Sequence, residues 1–214
     1  AVVGLRGECG CPPAWVVPTL PRPDSPGAVW WASHAPMDPA PDPLGALAQR
    51  RITDAAAVTR GKQKAMHTLC ANYAKGNTDL AWTRITPWRA LLAAALDQQP
   101  LKVRSASVTA ERISPSADLL RAWLSDRLHV QVERENSRGP GITEVVLDTK
   151  EGPIRISRPD GKLATFSSPG RPDRPVALKR RELPDLLAEE LRRLDEDDIY
   201  RDTTRRLMKL NGEA

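Results

Sequence analysis

Two tryptophans and two arginines, Trp82, Arg84, Trp88 and Arg89, fall within eight consecutive residues around the dipeptide Thr86-Pro87. A guanidinium can fork onto a carboxylate or phosphate through two parallel hydrogen bonds, and an indole adds a large apolar face and a single N–H donor. The segment uses Arg without Lys, as bidentate recognition would. Three uses fit these side chains. The indoles can fill the core while Arg84 and Arg89 form internal ion pairs. They can lie at a protein–protein interface, where Trp and Arg are enriched and Lys depleted. Arg84 and Arg89 can also clamp the anion of a sugar phosphate. The expected partner-binding set is Trp82, Arg84, Trp88 and Arg89, joined by Arg50 and Arg51.

Chemistry of other kinds finds little support. Neither Gly-x-Gly-x-x-Gly nor Gly-x-x-x-x-Gly-Lys-Ser/Thr occurs, and Gly139-Pro140-Gly141 fails as a phosphate cradle because proline removes a donor. A Gly-x-Ser-x-Gly nucleophile elbow is absent. His34, His67 and His129 lie far apart and read as surface or helix-capping groups. The carboxylates cluster in the runs Glu189-Glu190 and Asp195–Asp198, which read as solvated faces, whereas acid–base work needs two distinct, partly buried environments. Cys9, Cys11 and Cys70 lack zinc spacing and read as reduced thiols of a cytoplasm. No catalytic residue, cofactor or metal ion is expected.

The composition frames these residues. With 214 residues, 40% of them hydrophobic and 28% charged, the chain can bury a sizeable core and is expected to fold as a soluble protein. The formal charge of +5 comes from interleaved signs, the habit of solvated helix faces. The local excess Arg171, Arg174, Lys179, Arg180 and Arg181 supports an alternative reading, an anion- or nucleic-acid-binding regulator. No aromatic interleaving accompanies it, so nucleic acid is not the expected partner. No apolar run approaches about 18 residues, so no membrane span is expected. The start, Ala1-Val2-Val3-Gly4-Leu5, lacks the features of a secretory signal and reads as the trailing part of something longer.

Hydrophobic periodicity then places the elements. Ala1–Leu5, Ala14–Leu20 and Ala28–Trp31 read as short buried strands of a parallel sheet, and Met37–Pro43 as an extended link. Leu44–Val58 predicts a helix with Arg50-Arg51 turned outward, and Lys62–Ala74 a second one stopped by Gly76. Thr86 is the expected cap of a helix from Pro87 to Asp97, buried all round over Ala90–Leu96. A strand over Leu101–Ala110 precedes a helix opened by Ser114-Pro115, whose inner face carries Leu119, Leu120, Trp123, Leu124 and Leu128. Val130–Arg134, Ile142–Asp148, Pro153–Ser157, Lys162–Ser167 and Pro175–Leu178 alternate as antiparallel strands do. Leu183, Leu186, Leu187, Leu191 and Leu194 then repeat at helical spacing, and a last helix ends near Leu210. The expected class is α/β: a mixed α/β part over residues 1–100, then an α+β part over 101–214, an antiparallel β meander closed by C-terminal helices.

The run Gly76–Leu92 closely resembles the central signature of the OpcA family, the glucose-6-phosphate dehydrogenase assembly proteins of actinobacteria and cyanobacteria. Asp42–Ala55, Pro115–Leu120, Arg158–Gly161, Pro172-Asp173-Arg174 and Ala188–Leu194 match further family stretches, so the likeness extends from Ala28 to the C-terminal helices. It departs at Glu8–Pro13, and the chain is expected to be an N-terminally shortened member. The resemblance implies a cytoplasmic, non-catalytic protein that binds glucose-6-phosphate dehydrogenase. It further implies that the protein favours that enzyme's active oligomer, feeding the oxidative pentose phosphate pathway. It carries over no active-site residues.

Overall fold

The computed structural model describes residues 27–32, 34–193 and 195–212. The strands expected at Ala1–Leu5 and Ala14–Leu20 lie outside them. The fold is mixed α/β, built on a three-stranded and a six-stranded sheet.

The smaller sheet is parallel, with β2 (Arg50–Thr53) between β1 (Ala28–Trp30) and β3 (Asn77–Asp79). Parallel pairing at β1 agrees with the sequence, although that strand is a half-exposed edge. At β2 the expected helix over Leu44–Val58 does not form: a 3-10 turn over Gly45–Leu47 leads straight into a strand. The reason is tertiary. All four β2 residues are buried between two neighbours, and Ile52 and Thr53 are β-branched, so ladder pairing outweighs the helical spacing of the upstream leucines. The link before it is a series of turns rather than extended, held by the Asp42 carboxylate, which accepts from the N–H groups of Leu44 and Gly45. Two glycines make this packing possible. A Cβ on Gly45 would sit 1.7 Å from the Pro39 carbonyl oxygen, and one on Gly76, whose φ is +89°, would sit 2.1 Å from that of Gln49.

Helix α1 (Lys62–Ala71) forms where a helix is expected but ends before Ala74, with Asn72 rather than Gly76 at its C-cap, and β3, unexpected from the sequence, runs directly into a short α2 (Leu80–Thr83) that periodicity could not show. Helix α3 (Thr86–Gln98) follows. Its cap position is Ile85, and Thr86 donates its hydroxyl to Glu189 instead of capping. Nor is α3 buried all round, since Ala90, Ala93 and Ala94 face outward and the inner stripe is Trp88, Leu92 and Ala95.

The six-stranded sheet has the order β5-β4-β6-β7-β8-β9, comprising β4 (Val103–Glu111), β5 (Gln131–Ser137), β6 (Ile142–Thr149), β7 (Ile154–Ser157), β8 (Leu163–Ser167) and β9 (Arg174–Ala177). Strands β6 to β9 form the antiparallel meander that the alternation predicts. Strand β5, expected antiparallel, instead runs parallel to β4. Helix α4 (Pro115–Leu128) connects the two and returns the chain to the same end before β5 begins, which is what parallel pairing needs. Ala106, Val108 and Ala110 point to the helices, and Ser105, Ser107 and Thr109 lie on the opposite face. The core joins this inner face to α1, α2, α3, α4 and the last helix, α6 (Asp198–Leu210).

Ser114 caps α4 as expected, its hydroxyl accepting from the Ala117 N–H at 3.4 Å. Ser114→Ala is expected to cost about 1 kcal/mol. Thermal melts followed by circular dichroism will show this as a fall of roughly 2–4 °C.

Candidate partner-binding strip

The strip begins where β3 ends. Asp79 is fully buried, and its carboxylate accepts from the Ala81 N–H at 2.8 Å, the Ala55 N–H at 2.9 Å and the Thr53 hydroxyl at 2.6 Å. Burial pushes this carboxyl upward, and the three donors pull it back. One side chain thus caps α2 and ties it to β2, which sets the position of every residue that follows.

Both indoles turn inward. Trp82 is 1% and Trp88 2% exposed. The Trp82 N–H donates to Asp197 at 2.8 Å, its ring meets Tyr200 at 5.5 Å between centroids, and the Arg89 guanidinium lies 3.6 Å over its face. Arg158 covers Trp88 at 4.9 Å. Half-buried Arg89 donates to the Thr86 hydroxyl, and burial pushes its pKa down to about 10 despite Asp197, Glu189 and Glu190 nearby. Half-buried Arg84 grips Asp54 with two bonds of 2.6 and 2.7 Å, a fork on the protein's own carboxylate.

Arg50 and Arg51, expected to face outward, are buried in β2. Arg50 pairs with Glu190 at 2.5 Å and donates to the Asp195 carbonyl at 3.0 Å. Arg51 is spent on the chain itself: it donates to the carbonyls of Gly45, Ala48 and Lys75 and, at 2.6 Å, to the Asn77 side chain. The structure therefore gathers five of the six strip residues around α2 and α3 and sets Arg51 to work on the β2 entry loop.

Sequence reasoning missed the carboxylates. Glu190, in helix α5 (Leu183–Glu190), is buried; besides Arg50 it accepts from the Thr83 hydroxyl at 2.6 Å. Glu189 accepts from Thr86 and pairs with Arg181. Asp197 caps α6 through the Tyr200 N–H while holding Trp82. Glu189, Glu190 and Asp197 are therefore partners of the strip, while Asp195 and Asp198 are solvent-exposed as expected. One signal was available: Glu190 stands four residues after the buried Leu186, on the inner stripe. That stripe is rotated from the one expected, since Leu191 is exposed, and Leu194 lies outside the described residues.

The remaining candidates are dispersed. His34 is exposed in the turn region, the His67 ring bonds to Asn211 at 2.9 Å, and His129 ends α4 in a left-handed conformation. Cys70 is a free thiol, buried beside Met66, and burial pushes it up. Cys9 and Cys11 lie outside the described residues. Among the described residues no group of three His, Cys, Asp or Glu side chains could hold a metal ion, and no helix is long and apolar enough to cross a membrane.

Comparison with protein families decides the kinship. The OpcA family's C-terminal domain, described as that of the glucose-6-phosphate dehydrogenase subunit, matches residues 75–204, and its N-terminal domain matches residues 4–71. The chain belongs to this family. The match reaches back to Gly4, well before the point at which family motifs are evident to the eye. A search of curated proteins finds no match. Among solved structures, KijD10, a 3-ketoreductase from Actinomadura kijaniata in complex with TDP-benzene and NADP in an open conformation, is 10% identical. It superposes with a TM-score of 0.54 over 92% of this chain and 79% of its own. A mutant of the same enzyme gives 0.46 at 9% identity over 76% and 68%. At such identity the likeness speaks for the fold alone.

Proposed function

We propose that this OpcA-family chain is a non-catalytic assembly subunit that binds glucose-6-phosphate dehydrogenase in the cytoplasm and favours its active oligomer, serving the oxidative pentose phosphate pathway. The family match over both halves of the chain carries this reading. The strip supports it in kind, because its polar groups are engaged with one another in a scaffold rather than paired as nucleophile and base.

Activation of this sort is differential affinity: a subunit that binds the active oligomer more tightly shifts the population toward it. Coupling of about 1–3 kcal/mol, within reach of an interface of about 1,600 Å², gives a shift of roughly 5- to 150-fold. Within the strip, half-buried Arg84 and Arg89 present the edge a partner can touch, while Trp82, Trp88, Arg50 and Arg51 hold that edge in shape from below.

Titrating purified dehydrogenase with this chain, with activity and sedimentation followed together, is expected to raise activity in step with a change in oligomer. If neither moves at saturating chain, the proposal fails. Arg84→Gln paired with Asp54→Asn removes the fork without stranding a buried charge. It is expected to reduce activation about 5- to 30-fold, in line with a contact of about 1–2 kcal/mol, while melting shows a folded protein.

A further inference from the structure

A recessed cleft of about 170 Å³ opens beside the strip, between the first turns of α3 and α4 and the link from β9 to α5. Six cationic side chains line it: Lys62, Arg84, Arg158, Lys179, Arg180 and Arg181, against the single carboxylate of Glu111. Two of the six are neutralised within the chain, Arg84 by Asp54 and Arg181 by Glu189. The other four make no ion pair among the described residues, so the cleft holds an uncompensated positive field.

Arg158 is the decisive member. It is 5% exposed, and its two terminal nitrogens donate to the carbonyls of Leu178 at 2.6 Å and Ile142 at 2.9 Å, which orients the guanidinium firmly. Its Nε, equally buried, has no hydrogen-bond partner. A buried guanidinium ordinarily faces a carboxylate, because a charge removed from water is costly unless something of opposite sign replaces the water. Here Arg158 forms no ion pair among the described residues; burial and the cation Arg180 outweigh the more weakly felt Asp160 and push the Arg158 pKa down to about 10, so it is still charged at neutral pH. The start of the 14-residue helix α4 adds to the field, with Ser114, Pro115 and Ser116 forming the opposite wall.

We propose that this cleft binds the phosphate group of a small phosphorylated metabolite, with Arg158 at its floor and Lys62, Lys179 and Arg180 closing over the dianion. A dianion matches the uncompensated charge better than a lone carboxylate. The recessed floor and small volume suit a metabolite, since the backbone of a nucleic acid would reach only the exposed rim of Lys179 and Arg180. Apolar Ile85, Pro87 and Ile113 leave a wall for the organic part of an ester. This goes beyond the assembly reading and does not depend on it, because binding is a property of the isolated chain.

The test is calorimetric titration of the purified chain with inorganic phosphate, glucose 6-phosphate and adenosine monophosphate at fixed ionic strength. Saturable binding of at least one is expected. The tightest arm tells whether a sugar or a nucleoside accompanies the phosphate. Lys179→Gln with Arg180→Gln, both exposed and free of structural bonds through their side chains, is expected to weaken it about tenfold with an unchanged melting temperature. Arg158→Lys keeps the charge but gives up the bonds to Leu178 and Ile142 that orient the guanidinium, and in protein shown by melting to be folded it is expected to weaken binding comparably. No saturable binding of any of the three, binding indifferent to the Lys179/Arg180 variant, or capture of a single-stranded oligonucleotide but of none of the three would overturn the proposal.

Discussion

Glu190→Ala is expected to destabilise the fold by about 3–5 kcal/mol, the cost of leaving a buried charge without its partner. Arg50 and Glu190 are 3% and 6% exposed at their side chains and meet at 2.5 Å. Truncating the glutamate leaves Arg50 with one bond, to the Asp195 carbonyl, and with an Nε that already lacks a partner. Thr83 loses its acceptor at the same time. At roughly 2–4 °C of melting temperature per kcal/mol for a chain of this size, the loss is a fall of about 6–20 °C. Replacing both partners with apolar residues, Arg50→Met with Glu190→Leu, is expected to recover most of it, because no charge is then left in the interior. A double-mutant cycle read by chemical denaturation separates the pair's coupling from the cost of each truncation. A Glu190→Ala protein within about 1 kcal/mol of the parent would mean that water reaches the pair.

That same ion pair marks how far the sequence could be read. Helices α1, α4 and α6 and the strands of the meander were legible because their signals are local: a helical period, the Ser114-Pro115 start, the alternation of apolar and polar residues. Strands β2 and β3 were not, because what makes them strands is each other; Arg51 pairs with Asn77 across the register, and nothing near either residue announces it. The same holds for the site. All six strip residues stood out by type, but the charged partners that fix Arg50, Trp82 and Arg84 lie far along the chain: Glu190 is 140 residues from Arg50, Asp197 is 115 from Trp82, and Asp54 is 30 from Arg84. Arg50 and Arg51 were therefore read as outward-facing, and Glu189, Glu190 and Asp197 as solvated, from the same missing information. Charge alternation along a sequence does not distinguish a solvated helix from one whose acids are spent on arginines of another element. Family motifs closed part of this gap, since they carry the partner's identity without the geometry.

The second large effect is expected at Trp82. Trp82→Ala removes a side chain that is 1% exposed, and such truncations cost about 3–5 kcal/mol. The loss is compound: Arg89 gives up the face it lies on, Tyr200 gives up a ring neighbour, and Asp197 gives up the indole donor. Trp82→Phe is the milder change. It retains a ring under Arg89 but removes the N–H together with part of the indole's buried volume, with an expected cost of about 2–3 kcal/mol. Asp197 still accepts from the Tyr200 N–H at 2.9 Å, so the cap of α6 survives that change. Activation of the dehydrogenase by Trp82→Phe should then follow the fraction folded and nothing more, because the indole is buried beneath the edge proposed for contact. The informative contrary result is a Trp82→Phe chain as stable as its parent that no longer activates. It would place the indole in the contact itself, exposed by a rearrangement on binding, and would move the interface from the rim of the strip to its centre.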